Sequence, residues 1–123
     1  MVVCELTGGE ADRVFQALAD TTRRDILART MRQGESVSEL SRRYQMSFAA
    51  VQKHVAVLQR AALVTKERHG REQIVHGNAH TLRRAAELLG AYEQIWIQRA
   101  ARIADILASP EDEAGDNPQG EPS

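Results

Sequence analysis

Cysteine is almost absent from this chain: Cys4 stands alone among 123 residues. One thiol cannot close an internal disulfide or build a cysteine-based metal site. No run of 18 apolar residues occurs, which excludes a membrane-spanning helix, and Val2-Val3-Cys4 is too short for a secretory leader. A cytoplasmic protein is expected. Also missing are a nucleophile paired with a base, two carboxylates set for acid–base work, a phosphate-cradling glycine loop and a metal-ligand set. Catalysis is therefore not expected, and no cofactor is implied.

Net charge is only −1, with 42% apolar and 27% charged residues, the composition of an ordinary soluble domain. The distribution says more. Glu111, Asp112, Glu113, Asp116 and Glu121 give residues 110–123 a charge of −5, and the remainder stands at +4. Within 41–71, Arg42, Arg43, Lys53, Arg60, Lys66, Arg68 and Arg71 face a single acid, Glu67, an excess of +6. A solvated face and a nucleic-acid footprint both produce such a cluster.

Periodicity and capping signals lay out the elements. Residues 1–9 read as a loose arm ending in Gly8-Gly9. A helix over about 10–19 puts Val14, Ala17 and Leu18 on one face. Asp20 caps a second helix that carries Ile26, Leu27 and Met31 and ends near Gly34. Ser36 and Glu39 have capping-box spacing for a short third helix to about Tyr44. After the turn Gln45-Met46, Ser47 caps a fourth helix to about Arg60. Its Val51, Val55 and Leu58 pack, while Phe48, Ala49, Gln52, Lys53 and Ala56 face the other way. Val64 to Glu67 and Gln73 to His76 lean to β-structure around a basic turn, Arg68-His69-Gly70-Arg71. The whole predicts a winged helix-turn-helix, mainly α with a small β-hairpin. The fourth helix and the hairpin are the two protrusions such a module offers to DNA grooves.

From Ala79, with Asn78 as cap, to about Ser109 there is no proline, and only Gly90 weakens a helix of about 45 Å. Leu82, Leu89, Tyr92, Trp96, Ile103 and Leu107 lie near one stripe. The preceding elements cannot cover all of it, so a second copy of the chain is the economical partner. Tyr92 and Trp96 read either as interface core or as the lining of an apolar effector pocket. Past Pro110, three acids in a row, two prolines and two glycines predict a disordered acidic tail, leaving 10–109 as the folded domain.

Several of these pieces together resemble one known family. They are Ala17-Leu18-Ala19-Asp20-Thr21-Thr22-Arg23-Arg24 before Ile26-Leu27, then Ser38-Glu39-Leu40. Ser47, Val51, Lys53, His54, Val55 and Leu58 follow at fixed spacing, then Ala62-Leu63-Val64 and Gly70-Arg71. The pattern is similar, over residues 12–108, to the ArsR family of bacterial winged-helix repressors. That resemblance implies four helices, two strands and a last helix, with the fourth helix reading DNA. It implies a homodimer joined through the first and last helices, which adds Val14 and Leu18 to the interface, and promoter binding released by an effector. Two departures touch the fold: Thr21-Thr22 replaces a proline-bearing helix start, and Gln45 replaces the usual turn glycine.

A third departure touches function. Metal-sensing members carry a Cys-x-Cys pair where this chain has Ser36-Val37-Ser38, and hydroxyls are poor ligands for thiophilic ions. Between Arg83 and Ser109 the last helix offers only Glu87, Glu93 and Asp105, spaced too far apart to share one ion, and no histidine. No metal site is expected. His54 reads as a DNA contact or as packing, and His69 as a minor-groove or solvent-facing residue. His76 and His80 pair only by chance, and Cys4 reads as an incidental thiol rather than a redox handle.

DNA affinity is expected from phosphate contacts by Arg42, Arg43, Lys53, Arg68 and Arg71, with Ser47 adding one at the helix start. Gln52 suits adenine and Lys53 guanine; Ala49 and Phe48 suit thymine methyls, although Phe48 also fits against a neighbouring helix. Arg23 and Arg24 read equally as ion-pair partners of Asp20 and Asp25. The leading expectation is a dimeric operator-binding repressor. Its effector is open: a small organic molecule, a partner protein, or none. The alternatives are a winged-helix adaptor without specific DNA binding, and a regulator with an atypical metal, redox or ligand sensor.

Overall fold

The computed structural model describes residues 6–108 of the chain. The expected acidic tail, Cys4 and most of the expected N-terminal arm lie outside them. Eight elements follow in order: α1 (Gly8–Ala17), α2 (Thr21–Arg32), β1 (Glu35–Ser36), α3 (Val37–Tyr44), α4 (Phe48–Arg60), β2 (Val64–His69), β3 (Glu72–Gly77) and α5 (Ala79–Ala108). The molecule is mainly α, and the expected hairpin is enlarged to a three-stranded antiparallel sheet of order β1-β3-β2. The chain divides into two compact units after Leu88.

Local chemistry explains where the helices begin. Thr7 and Glu10 form a capping box, so α1 starts at Gly8, inside the stretch expected to be a loose arm. The Asp20 carboxylate accepts the Arg23 amide at 3.0 Å and starts α2. Ser36 and Glu39 exchange bonds of 3.0 and 2.9 Å in the expected box. Ser47 Oγ accepts the Ala50 amide at 3.1 Å. These caps satisfy first-turn amides that have no partner inside their own helix.

Helix ends are less obvious from sequence. α2 stops at Arg32 with Gln33 extended, so Gly34 is not a left-handed cap. Two extended residues beyond it, Glu35 and Ser36, pair with Val75 and Ile74 as β1. α3 and α4 close alike. Gln45 (φ 52°) and Ala62 (φ 60°) are left-handed. Met46 then donates to Ser41 O at 3.2 Å, and Leu63 to Leu58 O at 3.0 Å. This is the Schellman arrangement, here with non-glycine residues in the left-handed position. Gln45 thus takes up the conformation that a glycine would adopt more cheaply.

The core of residues 6–88 is built from Val14, Ala17, Ile26, Leu27, Val37, Leu40, Val51, Val55, Leu58, Leu63, Val64, Val75 and Ala85. Asn78 locks the exit of the hairpin. Its amide donates to Leu63 O at 2.8 Å, its side-chain nitrogen to Ala62 O at 3.0 Å, and its Oδ1 accepts the His80 amide at 3.1 Å. Gly77 sits where a Cβ would lie 2.2 Å from Met31 Sδ, so β3 can approach α2 only without a side chain there. Residues 91–108 are exposed throughout. None of the described helices is long and apolar enough to cross a membrane.

Candidate nucleic-acid interface

The helix-turn-helix is α3, the turn Gln45-Met46 and α4. Ser41 Oγ donates to Met46 O at 2.6 Å, tightening that turn from the α3 side. Val51, Val55 and Leu58 anchor α4 in the core, which turns the opposite side outward. Phe48 is 50% exposed there, with Ala49 and Lys53 also exposed and Gln52 half-buried.

Across from the start of α4 stands the wing. In the β2–β3 register His69 faces Glu72, leaving Gly70-Arg71 as a two-residue turn. Gly70 has φ 63° and Arg71 does not share the positive sign, the pattern of a type II′ hairpin with glycine first. One cleft is lined by Phe48 and Gln52 of α4, Val37 and Ser38 of α3, and Arg68, Arg71, Glu72 and Gln73 of the wing. Four residues expected to touch DNA from two separate segments therefore converge: Phe48, Gln52, Arg68 and Arg71. Phe48 belongs to this cleft rather than to the core.

Gln73 was not expected. It pairs with Arg68 across the hairpin, and its Oε1 is buried with no hydrogen-bond partner. Alternation along β3 puts it on the side of buried Val75, a signal available once the two-residue turn fixes the register. Glu72 is the one acid in the cleft, at its edge.

Other expected contacts are placed differently. His54 is turned from the exposed side of α4 toward the α1–α2 junction, with Nδ1 3.5 Å from Arg23 and 3.8 Å from the Asp20 carboxylate. Its position on the helix is the reason: it lies between the packed and exposed stripes, on the flank that meets α2. Arg43 donates to the largely buried Glu35 at 2.9 Å, so its guanidinium holds α3 to β1. Ser47 Oγ is spent on its cap. His69 and His76 both lie 3.3 Å from the same Glu67 oxygen, so His76 pairs across the wing and not with His80. Arg42 stays exposed beside the turn.

Arg23 and Arg24 form no ion pair with the acids named for them. They close the C-terminus of α1 instead: Arg23 donates to Ala17 O and Gln16 O at 2.8 and 3.0 Å, and Arg24 to Leu18 O at 2.7 Å. Arg29, not anticipated, takes Asp25 at 3.1 Å. Tyr44 also donates to Asp25, and this bond, with the Arg29 charge, holds the Asp25 carboxyl below its usual range. Burial, and then that same bond, push the Tyr44 phenol up to about 12.

Among residues expected at a dimer interface, Val14 is corrected: it is 1% exposed inside the core of one chain and has no surface left to offer. Leu18 is half-buried against the same core, and Leu82 is 36% exposed. Leu89, Tyr92, Trp96, Ile103 and Leu107 are exposed. Among the described residues, no group of three or more histidine, cysteine or acidic side chains is arranged to hold a metal ion.

No protein-family model matches the chain. Individual proteins do. It is 32% identical over 102 residues to the HTH-type transcriptional regulator Rv2034 of Mycobacterium tuberculosis, covering 83% of this chain and 92% of that one. The structure of an ArsR-like transcriptional regulator from Rhodococcus sp. RHA1 superposes with a TM-score of 0.70 at 34% identity, covering 81% of this chain and 93% of the other. The chain belongs to the ArsR family of winged helix-turn-helix transcriptional regulators. A homodimeric winged helix-turn-helix DNA-binding domain from Mycobacterium bovis shares the fold at a TM-score of 0.58 and 21% identity, with 70% of this chain and 81% of that one covered. As an ArsR-family regulator the chain is a DNA-binding protein and not an enzyme. Its α4 is the second helix of the helix-turn-helix and its β2–β3 hairpin the wing.

Proposed function

We propose that this regulator is a homodimeric operator-binding repressor that reads DNA with the start of α4 and the wing together. The observation that carries the reading is the single cleft that gathers Phe48, Gln52, Arg68 and Arg71. Gln52 and Lys53 read base edges, Ala49 and Phe48 meet thymine methyls, and Arg42, Lys53, Arg68 and Arg71 neutralise phosphates. His54 and Arg43, bonded within the fold, support the reading surface from behind.

Dimerisation rests on Leu89, Tyr92, Trp96, Ile103 and Leu107, a stripe of large apolar side chains with no cover within the described residues. Residues 10–109 serve as the DNA-binding and dimerisation domain. The family's usual metal positions are not used: Ser36 Oγ is engaged in its cap, and Ser38 lines the cleft. Fluorescence anisotropy of the full chain on its own upstream DNA against scrambled DNA, across salt, tests the reading. Tight, sequence-dependent binding with a steep salt slope is expected. Equal, weak binding to both would favour the winged-helix adaptor.

A further inference from the structure

A second cleft, away from the wing, lies between α1, α2 and the last turn of α4. Arg13, Arg23 and Arg60 line it with Gln16 and Val57, and no carboxylate does. Arg13 and Arg60 are exposed and form no hydrogen bond or ion pair among the described residues. Arg23 is fixed by its bonds to Ala17 O and Gln16 O. Glu10 and Asp20 act on Arg13 and Arg23 through their charge from outside the cleft, and neither lines it. Glu10 binds the Thr7 amide and Arg84 at 2.9 and 3.1 Å, and Asp20 caps α2. Three guanidiniums from three helices thus share one concavity with no carboxylate in its lining, and a bound anion supplies the counter-charge that the lining lacks.

We propose that this cleft binds a small anion of the diphosphate class. Guanidiniums on separate helices match a ligand with adjacent phosphoryl groups, each taking planar, charge-assisted hydrogen bonds. Val57 and the Gln16 amide supply a non-ionic lining. DNA is a poorer fit. The cleft is concave, and its α4 residues lie about 13–18 Å along the helix from Phe48, where the wing cleft opens. Val57 and Arg60 belong to the recognition helix, and Arg23 approaches His54 of the same helix, so a ligand here ties α4 to α1 and α2. Operator binding then depends on occupancy. That consequence rests on the reading above; binding itself does not.

Isothermal titration of the full chain with inorganic pyrophosphate at low ionic strength tests the site. The variants are an Arg13→Gln/Arg60→Gln double change and, as a charge control, Arg32→Gln on the exposed end of α2. Saturable binding of one anion per chain is expected, weakened at least about tenfold in the double variant and unchanged in the control. No saturation up to about 10 mM, or equal weakening in the control, overturns the proposal. Operator anisotropy separates it from a DNA contact. The double variant without pyrophosphate is expected to hold operator within about threefold. A loss with a salt slope shallower by about two phosphates makes the arginines part of the DNA footprint and overturns it. If the wild type binds no operator at all, the titration still decides the site alone.

Discussion

Residues 6–88 and residues 89–108 treat their apolar side chains in opposite ways. In the first stretch Ile26, Leu40, Leu58 and Leu63 are fully buried, and caps or cross-strand bonds account for the helix ends around them. In the second, Ile95, Trp96 and Leu107 are 61–80% exposed on a helix whose last eighteen residues bury nothing. Burying a large apolar side chain is worth about 1.5–3 kcal/mol. One part of the sequence therefore specifies a fold completed within a single chain, and the other carries large apolar side chains that the described residues leave uncovered.

The sharpest way to break that contrast is Trp96→Glu with Ile103→Glu. The pair is expected to convert a dimer to a monomer by light scattering and to weaken operator binding about 100-fold or more, because a monomer holds one half-site without its tethered neighbour. Unchanged mass and affinity would show that the helix needs no partner. In the other region, Leu58→Ala removes a core side chain and is expected to cost about 2–5 kcal/mol in denaturant unfolding. Gln52→Ala lies between the two in character. It leaves stability alone and costs about 1–3 kcal/mol of operator affinity, with relaxed preference at one base pair. A uniform loss over all sequences would reassign Gln52 to backbone contacts.

How much was legible follows the same division of labour. Helix starts were readable because a cap is one residue type at one spacing: Asp20, Ser36 and Ser47 stand where expected. The stripe on α5 was readable because 3.6-residue periodicity needs no partner to be seen. β1 was hidden, since two residues carry no period and exist as a strand only because β3 lies beside them. His54 and Arg43 lie against acids that the sequence does not point to, for a related reason. A polar side chain beside a candidate DNA-facing surface looks the same in sequence whether it faces outward or an acid such as Asp20 or Glu35, and only the fold brings those acids within reach. Val14 was misplaced because an apolar residue on an amphipathic helix does not say which of two apolar surfaces it joins.

Ala62 tests the smaller effects within the single-chain region. It closes α4 in a left-handed conformation that costs an alanine roughly 1–2 kcal/mol relative to the right-handed one. Ala62→Gly is therefore expected to stabilise the chain by up to about 1 kcal/mol, part of the gain being offset by glycine's greater freedom when unfolded. Thermal melts with no gain would mean that the turn relaxes differently from the Schellman geometry seen here.

The smallest effect expected is a pH signature at the α2–α3 contact. Burial and the bond to Asp25 raise the Tyr44 phenol from 10.0 to about 12, so the folded chain keeps this proton where the unfolded chain has lost it. Its contribution is fully present below pH 10 and disappears as pH rises through about 12. Asp25 runs the other way. The Tyr44 hydroxyl first, then Arg29, lower its carboxyl below 3.8, so its contribution is present above that value and is lost as pH falls through the folded one. Tyr44→Phe deletes the phenol and the first of these bonds, leaving Asp25 with Arg29 alone. Melting midpoints followed across pH should then show a flatter alkaline limb between pH 10 and 12 and a weaker acid dependence below about pH 4. The acid change is the slighter of the two, because the Asp25 side chain is half exposed and water screens its charge. An alkaline limb as steep in the variant as in the parent would show that another group titrates there, and that Tyr44 does not hold α3 against α2 through its proton.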